Sequence, residues 1–211
     1  MTEIASLFTL FTVHFVALMS PGPDFALVVQ NASRYGRSTG IMIAFGLSIG
    51  ILLHSTFSLT GISLLVSNQP MLFNLLQLAG GSYLIWLGFG ALMSLRQPRT
   101  QLPDGDKEQL LQSKKQAFTK GFTTNILNPK ALVFFVSLVS TLVPADLSNG
   151  GKITAITVLW ALSFSWFAFL AWVLTGKKMQ HLLAKLVPYI DGACGALFTA
   201  VGGGLIWQTL S

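Results

Sequence analysis

The sequence predicts an all-α polytopic membrane protein with six transmembrane helices. Of its 211 residues, 52% are hydrophobic and only 9% are charged, and the mean hydropathy is +0.66. Soluble domains have about a quarter of their residues charged. This shortage of charge predicts a single integral membrane transporter domain that covers residues 1–211.

The apolar residues fall into long runs. A transmembrane helix needs about 20 mostly apolar residues, and each run reaches that length. Proline interrupts the first and the fourth run, at Pro21, Pro23 and Pro129. Because proline removes a backbone donor and clashes with the preceding turn, both runs are predicted to be broken helices. The six predicted spans are 4–31, 39–66, 71–95, 119–143, 153–175 and 189–210.

Positive charge is concentrated in alternate links. The first–second, third–fourth and fifth–sixth links carry two, six and three of the 13 Lys and Arg residues, and the opposite side has only Lys152. Basic links stay in the cytoplasm, so both termini are predicted to lie outside. A charge pattern of this kind favours a lipid bilayer over nucleic acid as partner. The last basic link, 176–188, is predicted to lie along the membrane surface.

The two halves of the chain resemble each other. A shift of 106 residues places Pro23 on Pro129 and Asp24 on Lys130, and a shift of 114 aligns glycines of the third and sixth runs. Three spans per half is an odd number, so the second half is predicted to be inverted relative to the first. The predicted half-repeats are 1–95 and 118–211, joined by a cytoplasmic linker at 96–117.

Charged residues accompany both predicted breaks. Asp24 follows the first break, and Lys130 follows the second at a similar predicted depth. A buried ion pair that fixes the packing of the two broken helices explains this pattern. A binding site for a zwitterion explains it equally well, with the carboxylate facing an ammonium and the lysine or free backbone N–H groups facing a carboxylate. The predicted translocation site comprises Pro21, Gly22, Pro23, Asp24, Asn125, Asn128, Pro129 and Lys130.

Other polar residues inside the spans have simpler explanations. His14 and His54 are interpreted as hydrogen-bonded packing residues before any role in a proton relay. Asp191 is interpreted as the N-cap of the sixth helix. Cys194 is the single cysteine, which excludes a disulfide within the chain, and it is interpreted as a small packing residue.

Four motifs follow one another along the chain: Ser20-Pro21-Gly22-Pro23-Asp24-Phe25, Gly81-Ser82-Tyr83-Leu84 with Gly88, Asn125-Ile126-Leu127-Asn128-Pro129-Lys130-Ala131, and Asp191-Gly192 with Gly195 and Phe198. In this combination and order, the chain resembles the LysE/RhtB family of amino-acid exporters. It is most similar to the homoserine/threonine branch, of Rht type.

The resemblance implies a multi-pass carrier of the bacterial inner membrane with both termini in the periplasm. It implies export of a small amino acid, such as threonine or homoserine, driven by protons and without a cofactor. Substrates in the family include other neutral amino acids, lysine and arginine. Some relatives in the wider superfamily move divalent metal ions, and this alternative stays open.

Other function classes fit the sequence less well. A channel needs a continuous polar path, and an intramembrane enzyme needs a catalytic constellation that the chain does not show at any recognisable spacing. A metal carrier could draw ligands from His14, Asp24 and His54, although no spacing connects them. The exposed glycine faces are compatible with a homodimer.

Overall fold

The computed structural model describes residues 3–20, 22–68, 70–95, 113–143 and 147–210. Pro21 and most of the predicted linker at 96–117 lie outside these ranges. All regular structure in the described residues is helical. The helices are α1 (Glu3–Met19), α2 (Pro23–Tyr35), α3 (Arg37–Asn68), α4 (Pro70–Ser94), α5 (Lys114–Ile126), α6 (Pro129–Leu142), α7 (Asn149–Val173) and α8 (Lys177–Leu210).

Two of the predicted spans are broken helices. The axes of α1 and α2 meet at 55°, and those of α5 and α6 meet at 57°. Pro23 and Pro129 are the first residues of α2 and α6. Proline is tolerated at this position because the N–H it lacks would have no partner within the helix.

The described helices support a protein that crosses the membrane several times. Three helical segments are long and apolar enough to span it, and five spans result if each bent pair counts as one. In α4, the apolar stretch within the described residues is the shorter Leu78–Met93. The sixth span and the inverted repeat therefore remain predictions.

Close contacts at glycine residues show the relative directions of α3 and α5. A methyl group on Gly46 of α3 would collide with the α5 backbone at Phe118, and one on Gly121 of α5 would collide with the carbonyl of Ile43. Gly50 of α3 lies further along against Asn125. Gly46 lies between Phe118 and Phe122, and the later Gly50 lies at the later Asn125, so α3 and α5 run parallel from this close crossing onward. Glycine allows their backbones to touch.

Helices α4 and α8 run antiparallel. A methyl group on Gly195 would lie 2.9 Å from the carbonyl oxygen of Gly88, and one on Gly202 would lie 2.5 Å from that of Gly81. The residue order thus reverses between the two helices. These four glycines are among the six that the 114-residue shift superposes, since it places Gly81 on Gly195 and Gly88 on Gly202.

Residues that border two of the predicted basic links meet at one end of the bundle. Arg37, at the start of α3, donates from Nε to Thr175 Oγ1 at 3.2 Å and lies 5.5 Å from the ring centre of Trp172 at the end of α7. At the opposite end, Ser148 Oγ donates to Glu3 Oε1 at 2.8 Å. The two ends of α7 therefore mark opposite ends of the bundle, one next to Arg37 and the other next to Glu3.

Two expectations about the last helix are wrong: a link separate from the sixth span, and an N-cap at Asp191. The link at 176–188 and the sixth span form one helix of 34 residues, with Pro188 in its interior. Met179, Leu182 and Leu186 recur at helical spacing, and one proline removes only a single backbone donor. Consequently Asp191 is not an N-cap; it lies within α8, with 3% of its surface exposed.

Candidate functional site

A cavity of about 90 Å³ lies where the two broken helices meet. Both breaks contribute polar residues to it, and large apolar side chains complete its wall. Six of the eight residues predicted from the sequence line this cavity. They are Gly22, Pro23, Asp24, Asn125, Asn128 and Lys130.

The other two predicted residues are prolines. Pro21 lies outside the described residues, and Pro129 is the first residue of α6.

The six residues that line the cavity come from two segments about 100 positions apart in the sequence, and folding brings these segments together. Their role in transport is still a prediction.

Asp24 presents one hydrogen-bonded and one unpartnered oxygen. Its Oδ2 accepts a hydrogen bond of 2.6 Å from Nδ2 of Asn125. Its Oδ1 is buried and accepts no hydrogen bond within the described part of the chain, although the Asn128 side chain and the Lys130 charge also act on the carboxylate. Because Asp24 lies in the first turn of α2, the helix dipole favours its negative charge. The free oxygen is available to a donor in the cavity.

Asn125 is in turn held from the other side. Nε2 of His54 lies 3.2 Å from the carbonyl oxygen of Asn125 and donates to it, since a carbonyl only accepts. The side chain of Asn125 packs against Gly50, where a methyl group would lie 2.5 Å from its Oδ1. Helix α3 thus fixes the amide that orients the Asp24 carboxylate.

Lys130 belongs to the second break but reaches the first. Its Nζ lies 3.7 Å from the position that a Cβ atom on Gly22 would occupy. It interacts electrostatically with Asp24 and with Asp191 of α8. Asp24 and Lys130 line the same cavity and interact electrostatically. The hydrogen bond that Asp24 accepts comes from Asn125.

The helix N-termini at the two breaks are capped differently. Asn128 Oδ1 accepts a 3.0 Å hydrogen bond from the backbone N–H of Lys130, which caps α6. Gly22 precedes α2 and offers no side-chain cap. The first backbone N–H groups of a helix have no partner within it, so α2 can offer them to an anion.

The rest of the cavity wall is mainly apolar. Phe135 lies between two histidine rings, with centroid distances of 5.4 Å to His14 and 6.0 Å to His54. Both histidines are buried and hydrogen-bonded, in agreement with their interpretation as packing residues. Further apolar contributions come from Ile51, Leu87, Phe134, Phe167 and Phe198.

Sequence reasoning missed three polar residues in or near this cavity. Ser20, which belongs to the first motif, lines the cavity itself. Ser163 of α7 is hydrogen-bonded to His14 at 2.8 Å, and the sequence does not distinguish it from Ser165 of the same helix. The proximity of Asp191 to Lys130 was hidden by its interpretation as a cap. Cys194 fits its predicted packing role: it is buried, and its Sγ donates to the carbonyl of Val16 at 3.2 Å.

The arrangement is complementary to a small zwitterion. It combines a carboxylate with a free oxygen, a lysine ammonium, an uncapped helix N-terminus and an apolar wall. No group of three or more His, Cys, Asp or Glu side chains suited to a metal ion occurs among the described residues. His14, Asp24 and His54 accordingly do not form such a group.

Comparison with known proteins agrees with the family resemblance found in the sequence motifs. The family model described as LysE type translocator matches residues 15–209. The chain is 32% identical over 199 residues to proteins named threonine efflux protein from Escherichia coli (strain K12) and Salmonella typhi, which covers 94% of this chain and 96% of each relative. It is 29% identical over 197 residues to a protein named leucine efflux protein from Enterobacter sp. (strain 638), with 90% of each chain covered. No solved structure matches.

Proposed function

The chain belongs to the LysE type translocator family, as its motifs predicted, and we propose that it exports a small neutral amino acid. Threonine is the first candidate substrate, and homoserine, which also carries a hydroxyl group, is the second. The relatives named as threonine efflux proteins support this choice, since the similarity extends over almost their whole length.

One observation carries the proposal. Asp24 and Lys130 come from different breaks and line the same cavity, and Oδ1 of Asp24 accepts no hydrogen bond from the described residues. We assign the substrate ammonium to Asp24. We assign its carboxylate to Lys130 and the uncapped N-terminus of α2, which lie next to each other at Gly22. An amino acid carries its two charged groups on one carbon atom, so it needs such adjacent and opposite partners.

The charges in and near the cavity support proton coupling. With both carboxylates ionised, Asp24, Asp191 and Lys130 carry a net charge of −1. A bound zwitterion adds no net charge, so one charge would remain at membrane depth, where it is costly. A proton removes that cost, and we propose that it moves inward as the amino acid moves outward.

Alternating access provides the mechanism. The antiparallel pair α4–α8 obeys the 114-residue shift, because the contact of Gly81 with Gly202 maps onto that of Gly195 with Gly88. This supports a 3+3 inverted repeat with a pseudo-twofold axis between α4 and α8. We propose that the two halves rock around the cavity, as in other carriers with inverted repeats.

The charge distribution supports an orientation in the bacterial inner membrane. The basic end of the bundle, marked by Arg37 and Thr175, would face the cytoplasm, and both termini would face the periplasm. We also propose a homodimer through the open faces at Gly90, Gly203 and Gly204, where a methyl group would meet no atom of the described residues within 4 Å. Disulfide crosslinking of a Gly90→Cys variant in membranes tests the dimer.

Transport by everted membrane vesicles tests the function. Vesicles that contain the protein, and matched vesicles without it, receive labelled threonine, homoserine, leucine or lysine, with or without an acidic interior. We expect saturable accumulation of threonine that an uncoupler abolishes, and competition by homoserine.

Two results would change this account. Threonine uptake that is indifferent to the proton gradient would contradict the coupling. Absence of uptake for every amino acid, together with uptake of cadmium or zinc, would contradict amino-acid export and favour a metal carrier.

A further inference from the structure

Among the described residues, one ring nitrogen of His14 is hydrogen-bonded and the other is not. Its Nε2 lies 2.8 Å from Ser163 Oγ, and Ser163 Oγ donates to the carbonyl oxygen of Leu159 at 2.6 Å. A hydroxyl group has a single proton, and we assign that of Ser163 to its shorter bond, to Leu159, so that Ser163 accepts from Nε2 of His14. In this assignment the neutral ring carries its proton on Nε2, and Nδ1 is an acceptor.

This acceptor is buried next to the cavity between the breaks. Only 2% of the His14 surface is exposed, and the side chain lines the cavity. In the described ranges of the chain, no group donates to Nδ1. Its ring neighbours are Phe134 and Phe135, at centroid distances of 6.3 and 5.4 Å, and neither can donate a conventional hydrogen bond. A buried acceptor without a donor is unfavourable, and a ligand with a donor at this point would relieve the cost.

The position of His14 relative to the breaks limits which part of a ligand reaches it. On α1 it precedes the last residue, Met19, by five positions, or about 8 Å along the helix. Its neighbour Phe134 lies one turn beyond Lys130 on α6. An amino acid held at its charged groups by Asp24 and Lys130 would therefore direct its side chain toward His14.

We propose that Nδ1 of His14 accepts a hydrogen bond from the side-chain hydroxyl of the substrate and so selects hydroxy amino acids over apolar ones of the same shape. This inference rests on the proposed function, because the breaks must first hold the amino-acid charges. Ser163 acts as a positioning residue that fixes the tautomer. The surrounding phenylalanines exclude water, which would otherwise compete for Nδ1.

Threonine and valine provide the test, since they differ by one hydroxyl in place of a methyl group. An apolar pocket discriminates weakly between such isosteres, whereas a site built to bond the hydroxyl strongly rejects the analogue without it. Both amino acids are measured in everted vesicles as kcat/KM. We expect wild type to prefer threonine by about tenfold or more.

Three variants separate the roles of the ring. His14→Phe keeps an aromatic ring in an aromatic wall, and we expect its preference to fall below about twofold while valine transport persists. His14→Asn returns an acceptor near the position of Nδ1 and should restore part of the preference. Ser163→Ala frees the tautomer and should give an intermediate ratio. Ser6→Ala is the matched control, because Ser6 of α1 is buried, makes no side-chain hydrogen bond to the described residues and lies outside the cavity lining.

The outcomes are distinguishable from failure of the proposed function. If wild type transports threonine and valine, but His14→Phe keeps the wild-type ratio, the inference is wrong and amino-acid export stands. An equal loss of both substrates in His14→Phe, with the ratio unchanged, assigns His14 to the ammonium or to packing and also overturns the inference. If no amino acid is transported by wild type, the proposed function itself fails.

Discussion

The two helix breaks are built alike but equipped differently. At each, a helix ends, proline begins the next helix, and the axes turn by 55° or 57°. The first break has an acidic residue and an uncapped helix N-terminus, at Asp24 and Gly22. The second has a basic residue and a capped N-terminus, at Lys130 and Asn128.

If the two halves form the proposed inverted repeat, this difference is what makes the site asymmetric. Two copies of the same break, facing each other, would offer the same polar groups twice. An amino acid is polar in one direction, with a cation and an anion side by side. Because the two breaks carry opposite charges and only one of them has a side-chain cap, together they are complementary to an amino acid.

Removal of the acidic group at the first break should have the largest effect. Asp24→Asn keeps the size of the side chain but removes the charge proposed for the substrate ammonium. A hydrogen bond to a charged group is worth about 1.5–3 kcal/mol, so we expect threonine export to fall by about 10- to 150-fold. Initial rates in everted vesicles measure the loss. Glu3→Gln is the matched control, since Glu3 lies at the far end of α1; wild-type export by Asp24→Asn would contradict the assignment.

Removal of the basic group at the second break should have a smaller effect. In Lys130→Ala, the N-terminus of α2 still faces the substrate carboxylate, so we expect KM for threonine to rise by about tenfold, as for loss of one hydrogen bond of about 1.5 kcal/mol. Lys152→Ala, at the other end of the bundle, should behave as wild type. A normal KM in Lys130→Ala would limit Lys130 to packing.

Making the first break resemble the second tests the role of the caps. Gly22→Asn introduces a side chain that can cap α2, at a φ of −153° that asparagine adopts without strain. Since asparagine caps better than glycine by a few tenths of a kcal/mol, stability should rise slightly, while KM rises severalfold because the cap occupies N–H groups meant for the substrate. Thermal unfolding and transport are measured on the same sample. A rise in stability without a change in KM would show that these N–H groups do not bind substrate.

The smallest effect is expected at the edge of the second break. Tyr83 Oη donates to the carbonyl oxygen of Lys130 at 3.5 Å, which is at the limit of a hydrogen bond. Tyr83→Phe should therefore change the export rate by less than about twofold, since a bond of this length contributes little. A loss as large as that of Lys130→Ala would mean that Tyr83 touches the substrate or moves with the break.

The sequence predicts the breaks well because their causes are local. Proline imposes its effect on the adjacent turn, and an acidic or basic residue in an apolar run is expensive wherever it lies. That reasoning located Asp24 and Lys130, and their convergence on one cavity agrees with the predicted similar depth.

The rest of the site depends on contacts between distant parts of the chain. The hydrogen bond from His54 to the backbone of Asn125 and that from His14 to Ser163 have no local signature, because each joins two helices. At Pro188 the local signal was misleading. The predicted link ended at this proline, but α8 continues through it. The same error concealed Asp191 as a neighbour of Lys130.

Equilibrium binding of threonine and threoninamide to the purified protein tests the central claim most directly. Threoninamide keeps the ammonium and the hydroxyl but replaces the carboxylate by a neutral amide. We expect wild type to prefer threonine and Lys130→Ala to lose about tenfold of that preference, as loss of the charged partner of the carboxylate requires. An unchanged preference in Lys130→Ala would contradict a site in which the two breaks share one amino acid.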